Sequence, residues 1–298
     1  GGDVFNGTYI GAFSDKNVGT GKTVTITPSY TGADVSNYSI TNHANVTANV
    51  TAKSLTVSGI TTSNKTYDGN TVATLNTSSV LYSGLVAGDT FSGSYTGAFA
   101  NANVGTGKTV TISPTYSGVD VSNYNITNHS TITADISKKA LTSTASSSNK
   151  VYDGNTTATT TLTLSGLIGS ETLGQTVGST FNNKNVGTGK TVTVNSITLA
   201  DGSNGGLAAN YSISAGQTTT ANITAKSLTV SGITASNKTY DSNTTATLNT
   251  GSVSYTGLVG GDVFNGTYIG AFSDKNVGTG KTVTITPSYT GADVSNYS

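Results

Sequence analysis

The sequence contains no Cys, Met, Trp or Arg, and Glu171 is its single glutamate. Without Cys, the chain can form neither a disulfide nor a thiolate metal site. Only 9% of the residues are charged and the formal net charge is zero. The chain therefore lacks the basic surface that nucleic-acid binders use to neutralise phosphates. It also has no polybasic segment for anionic lipid and no apolar run long enough for membrane insertion.

The hydrophobic fraction is low, at 34%, and Pro occurs only three times. The remainder is dominated by Thr, Ser, Asn and Gly, together with 15 Tyr. Thr, Val, Ile and Tyr favour pleated, half-buried strands, while Gly, Asn and Asp favour the turns between strands. The composition therefore predicts an ordered chain that is almost entirely β.

The nonapeptide Asn-Val-Gly-Thr-Gly-Lys-Thr-Val-Thr occurs four times, beginning at Asn17, Asn103, Asn185 and Asn276. Its Gly-Lys-Thr suggests a phosphate-binding loop, but that motif requires a Gly five residues before its last Gly. Those positions hold Lys16, Ala102, Lys184 and Lys275. Each copy also leads into a β-patterned run instead of a helix. We therefore interpret the nonapeptide as a tight turn whose glycines take positive φ, followed by a strand.

The steps between the nonapeptides are 86, 82 and 91 residues, which indicates tandem copies of one domain. Residues 1–39 and 260–298 are identical, so three variant domains form a longer repeat of 259 residues. We place a C-terminal part of one domain first, then two complete domains, then one lacking its last strand. These are residues 1–52, 53–137, 138–225 and 226–298, called here the first to fourth repeats. No flexible linker separates them, which predicts a stiff rod.

Alternation within each repeat predicts the strands. Val24 and Ile26 fall on one face of a strand and threonines on the other. The segment Asn6-Gly7 between apolar residues predicts a two-residue hairpin turn. The third repeat carries an insertion, Ala200–Gly206, whose composition predicts a surface loop of the kind that carries binding sites.

Two kinds of chemistry have candidate residues in the repeats. Carboxylate and amide oxygens that could bind calcium recur at Asp68, Asn70, Asp153 and Asn155, although turn formation explains the same residues. A Lys–Asn isopeptide cross-link with a carboxylate as proton shuttle could use Lys22, Lys65, Asn37 and Asp3. The two histidines, His43 and His129, have no neighbouring Cys or acid in sequence, so we predict that the chain is not an enzyme.

Several motifs follow one another in a fixed order in the repeats. They are Lys-x-Tyr-Asp-Gly-Asn-Thr, Gly-Asp-x-Phe, Asn-Val-Gly-Thr-Gly-Lys and Gly-x-Asp-x-x-Asn-Tyr. This order resembles the YDG-type repeat domain, which is related to MBG-type repeats. The resemblance implies a place in very large bacterial surface proteins, including filamentous-haemagglutinin-like adhesins, and hence an extracellular or cell-surface location. One copy departs from the pattern, with Ser242 in place of the Gly of Tyr-Asp-Gly.

We therefore expect an all-β tandem array of small antiparallel β-sandwich domains, similar to immunoglobulin-type modules and stacked as a rod. Units similar to the β-grasp fold are the alternative. The expected function is structural: a stalk or fibre segment whose partners are the neighbouring repeats, with end-to-end or lateral self-association of chains. The alternatives are a glycan- or mucin-binding module that acts by avidity and a self-assembling extracellular filament.

Overall fold

The computed structural model describes all 298 residues. As the composition predicts, the fold is all-β: 28 strands and no α-helix. The only helical turns are four 3-10 turns, one in each repeat, at Val35–Asn37, Val121–Asn123, Ala208–Asn210 and Val294–Asn296. The chain divides into two compact units, Gly1–Lys138 and Lys139–Ser298.

The first repeat forms one antiparallel sheet of order β1-β2-β3. Its strands are β1 Asn6–Phe13, β2 Gly19–Thr31 and β3 Val46–Val50. The long hairpin of β1 and β2 pairs Asn6 with Thr31 at one end and Phe13 with Val24 at the other. The same hairpin recurs in every repeat and is its longest regular element.

The second repeat contains a five-stranded sheet, a three-stranded sheet and a short strand pair. Its strands are β4 Lys53–Ser58, β5 Thr61–Thr62, β6 Lys65–Thr66, β7 Val72–Ala73, β8 Leu75–Asn76, β9 Leu81–Ser83, β10 Ser92–Phe99, β11 Gly105–Ser117, β12 Tyr124–Thr127 and β13 Thr131–Ser137. The sheet orders are β6-β13-β11-β10-β7, β12-β4-β9 and β5-β8.

The core of the second repeat takes residues from both of its larger sheets. Val57 of β4 and Ile112 of β11 are buried in one cluster with Ile60. Partly buried side chains from both sheets, including Tyr82 and Tyr116, pack against it. Val110 is fully buried one alternation before Ile112, which confirms the predicted inward face of this strand.

The third repeat has the same long hairpin in a four-stranded sheet. Its strands are β14 Lys139–Ala140, β15 Thr142–Ser147, β16 Lys150–Val151, β17 Thr160–Ser165, β18 Leu173–Phe181, β19 Gly187–Asp201, β20 Tyr211–Ser212 and β21 Thr218–Thr224. The sheet orders are β16-β21-β19-β18, β15-β17 and β14-β20. The predicted loop at Ala200–Gly206 is partly strand, because β19 extends through Asp201, which pairs with Leu173.

The fourth repeat forms three small sheets. Its strands are β22 Thr229–Ser231, β23 Thr234–Ala235, β24 Thr245–Ala246, β25 Leu248–Asn249, β26 Ser254–Thr256, β27 Asn265–Phe272 and β28 Val283–Thr290. The sheet orders are β22-β26, β23-β25 and β24-β27-β28.

The sheets of the second and third repeats include parallel strand pairs, which differs from the antiparallel expectation. In the second repeat β12 runs parallel to β4, and β13 runs parallel to β6. In the third repeat β14 pairs with β20, and β16 with β21, in the same parallel sense. The opening and closing segments of a repeat therefore lie side by side and run in the same direction. Because these segments are far apart in sequence, the alternation of residues within each strand does not reveal that they pair.

The nonapeptide is a corner followed by a β-bulge. In the first repeat the corner occupies residues 14–18, and β2 begins at Gly19. Between Gly19 and Lys22 the register against β3 shifts by one residue, and Gly21 there has a φ of 63°. The N–H of Gly21 donates to Oδ1 of Asn49, 2.8 Å away. The predicted positive φ is therefore present at the second glycine, within a bulge instead of a simple turn.

The hairpin turn predicted at Asn6-Gly7 is wrong, because both residues lie in β1 and pair with Thr31 and Tyr30. Glycine is favoured here because other side chains approach the backbone closely, and not because the chain turns. At the equivalent Gly93, an added Cβ would lie 2.5 Å from the hydroxyl of Tyr95. Tyr95 on the same strand and Tyr82 on a strand of the other large sheet would therefore have to shift to admit a side chain at this position.

Candidate functional site

A lysine ammonium lies at the centre of each Lys-x-Tyr-Asp-Gly-Asn-Thr loop. Lys65 Nζ donates to Oδ1 of Asp68 at 2.8 Å and to Oδ1 of Asn70 at 3.0 Å. It also donates to the backbone carbonyls of Asn70 and Val72, at 2.8 and 3.1 Å. The Phe99 ring covers one side, with its centroid 5.5 Å from Nζ. The loop is thus folded around a bound positive charge.

The arrangement repeats almost unchanged. Lys150 contacts Asp153 at 2.7 Å and Asn155 at 3.0 Å. Lys238 contacts Asp241 at 2.8 Å and Asn243 at 3.0 Å. Such agreement across three sequence variants indicates that the motif is a structural unit.

The calcium candidates therefore converge on an ammonium. Asp68 and Asn70, like Asp153 and Asn155, direct their oxygens to the lysine of their own loop. Partial burial opposes ionisation of Asp68, but the hydrogen bonds from Lys65 and from the backbone of Asn70 lower its pKa overall. No cluster of three or more His, Cys, Asp or Glu side chains occurs in the chain. A metal ion would have to displace the lysine.

The isopeptide candidates lie in three different environments. Lys22 Nζ contacts Asp15 and the carbonyl of Asn17, and Asp3 accepts a hydrogen bond from Tyr38. Asn37 ends the 3-10 turn of the first repeat. Lys65 does lie next to an amide and a carboxylate. They belong to Asn70 and Asp68, however, and not to the predicted Asn37 and Asp3.

A tyrosine–carboxylate contact also recurs in every repeat. Tyr124 donates to Oδ2 of Asp89 at 2.6 Å and accepts the N–H of Val86 at 3.0 Å. Burial and the hydrogen bond to Asp89 raise the pKa of the Tyr124 hydroxyl. In the third repeat Tyr211 makes the same contact with Glu171, at 2.6 Å. Glu171, the single glutamate, therefore provides the carboxylate that Asp3, Asp89 and Asp262 provide in the other three repeats.

The strongest candidate for a functional site is the contact between the first and second repeats. Lys16 Nζ lies 2.8 Å from Asp89 and 2.7 Å from Asp120, both in the second repeat. Beside it, the N–H of Val18 donates to Oδ1 of Asn123 at 2.9 Å. The Asn123 amide in turn donates to Asn17 at 3.2 Å. Three consecutive residues of one repeat thus bind an acidic site on the next.

The contact recurs between the third and fourth repeats. Lys184 Nζ lies 3.0 Å from Asp262 and 3.1 Å from Asp293, and Val186 N–H donates to Asn296 at 2.9 Å. Tyr152 adds a hydrogen bond to Asp262 at 2.8 Å. We call these two contacts the junction contacts.

Apolar packing supports the second junction contact. The core of the third repeat includes Tyr152 and Phe181, and side chains of the fourth repeat, Val259 and Tyr297, pack against it. The rings of Tyr152 and Tyr297 meet edge to face with centroids 5.6 Å apart. The Asp262 side chain is only 2% exposed. A nearly buried carboxylate of this kind needs its cation, because an unpaired buried charge is costly.

Charge at both junctions is mutually stabilised. Hydrogen bonds to Asp120 and Asp89 raise the pKa of Lys16, and those to Asp262, Tyr152 and Asp293 raise the pKa of Lys184. The pKa of Asp120 is correspondingly lowered, first by its hydrogen bond with Lys16. Lys16, Lys184 and Asp120 are therefore charged at neutral pH.

The sequence reasoning missed the junction residues, although a signal for them exists. The second repeat has Ala102 at the lysine position, and the third repeat has Leu207 at the position of Asp120. A repeat without the lysine is therefore followed by one without the second aspartate. Paired loss in consecutive repeats is expected where two residues depend on each other.

No helix in the chain is long and apolar enough to cross a membrane. Neither the curated proteins nor the solved structures contain a match to the chain. The family model of the YDG domain matches four segments of the chain, at residues 1–48, 51–134, 137–221 and 224–298. Together these segments cover nearly the whole sequence, and the chain belongs to the YDG domain family.

Proposed function

We propose that this chain is a structural segment of a large secreted or cell-surface bacterial protein, in which sandwich-like repeats stack into a rod that acts as a stalk or fibre. The observation that carries the proposal is the junction contact. A lysine of one repeat bound to two aspartates of the next restricts bending between them, and a spacer requires that property.

The sandwich-like architecture is favoured over the β-grasp-like alternative. A β-grasp unit packs a helix across its sheet, whereas the longest helical element here has three residues. In the second repeat the buried cluster draws on two sheets, as expected for a sandwich.

A glycan-binding role needs aromatic side chains exposed together on one face. In the complete second repeat, Tyr82 and Tyr116 instead pack against Phe91, with ring centroids 5.1 and 5.3 Å away. Tyr95 donates a hydrogen bond to Tyr82 at 3.1 Å. The tyrosines thus serve the interior of the repeat, which favours the structural role.

Antibodies against the second repeat test the proposal on intact cells of the source organism. Immunogold electron microscopy is expected to label material that extends outward from unpermeabilised cells. Label that appears only after permeabilisation would contradict a surface role. A glycan array probed with the chain is expected to stay blank, and saturable binding to a glycan class would favour the adhesive alternative.

A further inference from the structure

Two tyrosine hydroxyls meet between the two larger sheets of the second repeat. Tyr82 lies on β9 of the three-stranded sheet, and Tyr95 lies on β10 of the five-stranded sheet. Tyr95 donates a hydrogen bond to Tyr82, and the two oxygen atoms are 3.1 Å apart. In the fourth repeat Tyr255 and Tyr268 make the same contact at 3.0 Å. The hydroxyl pair is therefore a repeated feature and not an accident of one copy.

A glycine leaves the space that the hydroxyls occupy. A Cβ added at Gly93 would lie 2.5 Å from the hydroxyl oxygen of Tyr95 and 2.9 Å from that of Tyr82. Gly266, at the same place in the fourth repeat, is approached by both hydroxyls of that repeat's pair. The glycine beside each pair therefore lets the two hydroxyls come close to the backbone and to each other.

The third repeat replaces the two tyrosines and the glycine together. Leu164 and Val177 stand where the second repeat has its tyrosines, and Gln175 stands where it has the glycine. The Gln175 side chain donates to the backbone carbonyl of Leu162 at 2.7 Å. Among the second, third and fourth repeats, the glycine is thus present where the hydroxyl pair is present and absent where the pair is absent. This relation indicates that the close approach of the hydroxyls is what requires the glycine.

The hydroxyl pair has the arrangement that oxidative coupling of two phenols produces. In such a product a carbon–carbon bond joins the two carbons next to the hydroxyls, so the hydroxyls lie side by side within hydrogen-bonding distance. Tyr82 and Tyr95 already hold their hydroxyls in this way before any bond forms. Both residues are half-buried. An open groove of about 720 Å³, lined in part by Tyr95, Leu75 and Thr77, lets a small oxidant reach Tyr95.

We propose that Tyr82 and Tyr95 form a dityrosine cross-link when a one-electron oxidant acts on the folded chain. Each ring loses one electron and its hydroxyl proton, and the two radicals join through the carbons next to their hydroxyls. Each of these carbons then releases its hydrogen as a proton while the oxygen of the same ring takes up a proton, which restores both phenols. A haem peroxidase transfers the two electrons to hydrogen peroxide, which takes up the two protons and becomes two molecules of water.

Tyr116 is a further tyrosine near this pair. Its ring meets that of Tyr95 nearly edge to face, with centroids 6.1 Å apart. Its hydroxyl donates to Oδ1 of Asn128 at 2.8 Å, whereas the Tyr95 hydroxyl donates to Tyr82. Tyr82 is therefore the expected coupling partner of Tyr95, and Tyr116 serves as a control within the same repeat.

The cross-link would tie β9 to β10, and hence one sheet of the repeat to the other. It closes a loop between residues 13 positions apart, which restricts the unfolded chain and so stabilises the fold. The chain has no Cys and hence no disulfide for this purpose. The coupling itself depends only on the folded repeat and the oxidant, whereas its use outside the cell rests on the proposed function.

Oxidation of the intact chain by hydrogen peroxide with a haem peroxidase tests the cross-link. Proteolysis before Asp89 and after Lys108 leaves Tyr82, Tyr95 and Tyr116 in three separate peptides. In chain recovered as monomer, mass spectrometry should find the first two peptides joined, with a mass two hydrogen atoms below their sum and with the fluorescence of dityrosine. Tyr82→Phe should abolish the joined species, and Tyr116→Phe, the matched control, should retain it. Circular dichroism confirms that each variant is folded.

Access of the oxidant and the role of the fold have their own controls. Persulfate with a photoexcited ruthenium complex supplies a small oxidant, so the bulk of the peroxidase cannot explain a negative result. The chain unfolded in urea should give much less of the joined species, because the two hydroxyls are no longer held together. Failure with both oxidants, equal yields from folded and unfolded chain, or coupling of Tyr95 to Tyr116 instead would overturn the proposal. Each of these results leaves the immunogold outcome, and hence the proposed function, to be judged separately.

Discussion

Lys184 in the third repeat reaches Asp262 in the fourth, with Nζ 3.0 Å from a carboxylate that is almost fully buried. We expect Lys184→Ala to lower the thermal midpoint of the chain by a few degrees, because it leaves the carboxylate without its cation. Differential scanning calorimetry measures the change. Lys138→Ala, at an exposed lysine, is the matched control, and equal effects of the two substitutions would contradict a role for the contact.

The junction contacts should also depend on pH. Burial opposes ionisation of Asp262, but hydrogen bonds from Tyr297, Lys184 and Tyr152 lower its pKa overall. A lowered folded-state pKa stabilises the fold above the unfolded value of about 3.9, and that contribution is lost as pH falls through the folded value. The difference in thermal midpoint between wild type and Lys184→Ala should therefore be largest near neutral pH and shrink below about pH 4. A difference that stays constant down to pH 2 would exclude the carboxylate as its source.

Much of the repeat could be predicted from sequence because its strands alternate. Val110 and Ile112 are buried as the pattern of Val24 and Ile26 predicts, and the β-rich composition correctly excluded helices. Local sequence patterns gave the wrong prediction where contacts with residues distant in sequence determine which residue is needed. Gly93, the counterpart of Gly7, is closely approached by Tyr95 of its own strand and by Tyr82 of a strand in the other large sheet, so a rule based on turn sequences predicts the wrong structure there.

The junction residues were harder to find for the same reason. Lys16 and Asp89 are 73 residues apart, and no spacing rule relates them. The available signal was the paired change to Ala102 and Leu207 in consecutive repeats. This paired change becomes visible only when the repeats are aligned and the lysine position of each repeat is compared with the aspartate position of the next.

Ser242 occupies a backbone conformation that suits glycine. Its φ is 69°, close to the 78° and 79° of Gly69 and Gly154 at the same position of the loop. We expect Ser242→Gly to stabilise the fourth repeat by about 0.5–1 kcal/mol, since relief of the left-handed strain outweighs the added freedom of the unfolded chain. Urea denaturation measures the change. The reverse substitution, Gly69→Ser, should destabilise the second repeat by a similar amount, and stabilisation by both would refute the explanation.

The Lys65 loop brings an amine, an amide and a carboxylate together, yet we expect no cross-link there. Attack on the Asn70 amide requires a nitrogen lone pair directed at the amide carbon, whereas Lys65 Nζ donates hydrogen bonds to Asp68 at 2.8 Å and to two backbone carbonyls. Intact-mass spectrometry should therefore give the mass calculated from the sequence. A mass lower by one ammonia, and restored in Asn70→Ala after allowance for the substitution, would show that the isopeptide forms.

Calcium should leave the stability of the wild-type chain unchanged, because the ammonium of Lys65 already occupies the position where the oxygens of Asp68 and Asn70 converge. Thermal unfolding with millimolar calcium or with a chelator should give the same midpoint. Removal of the ammonium in Lys65→Met leaves these oxygens without their cation and should destabilise the second repeat. Magnesium serves as the control for general ionic effects. A rise in the wild-type midpoint with calcium but not magnesium would show that the loop exchanges its lysine for the metal.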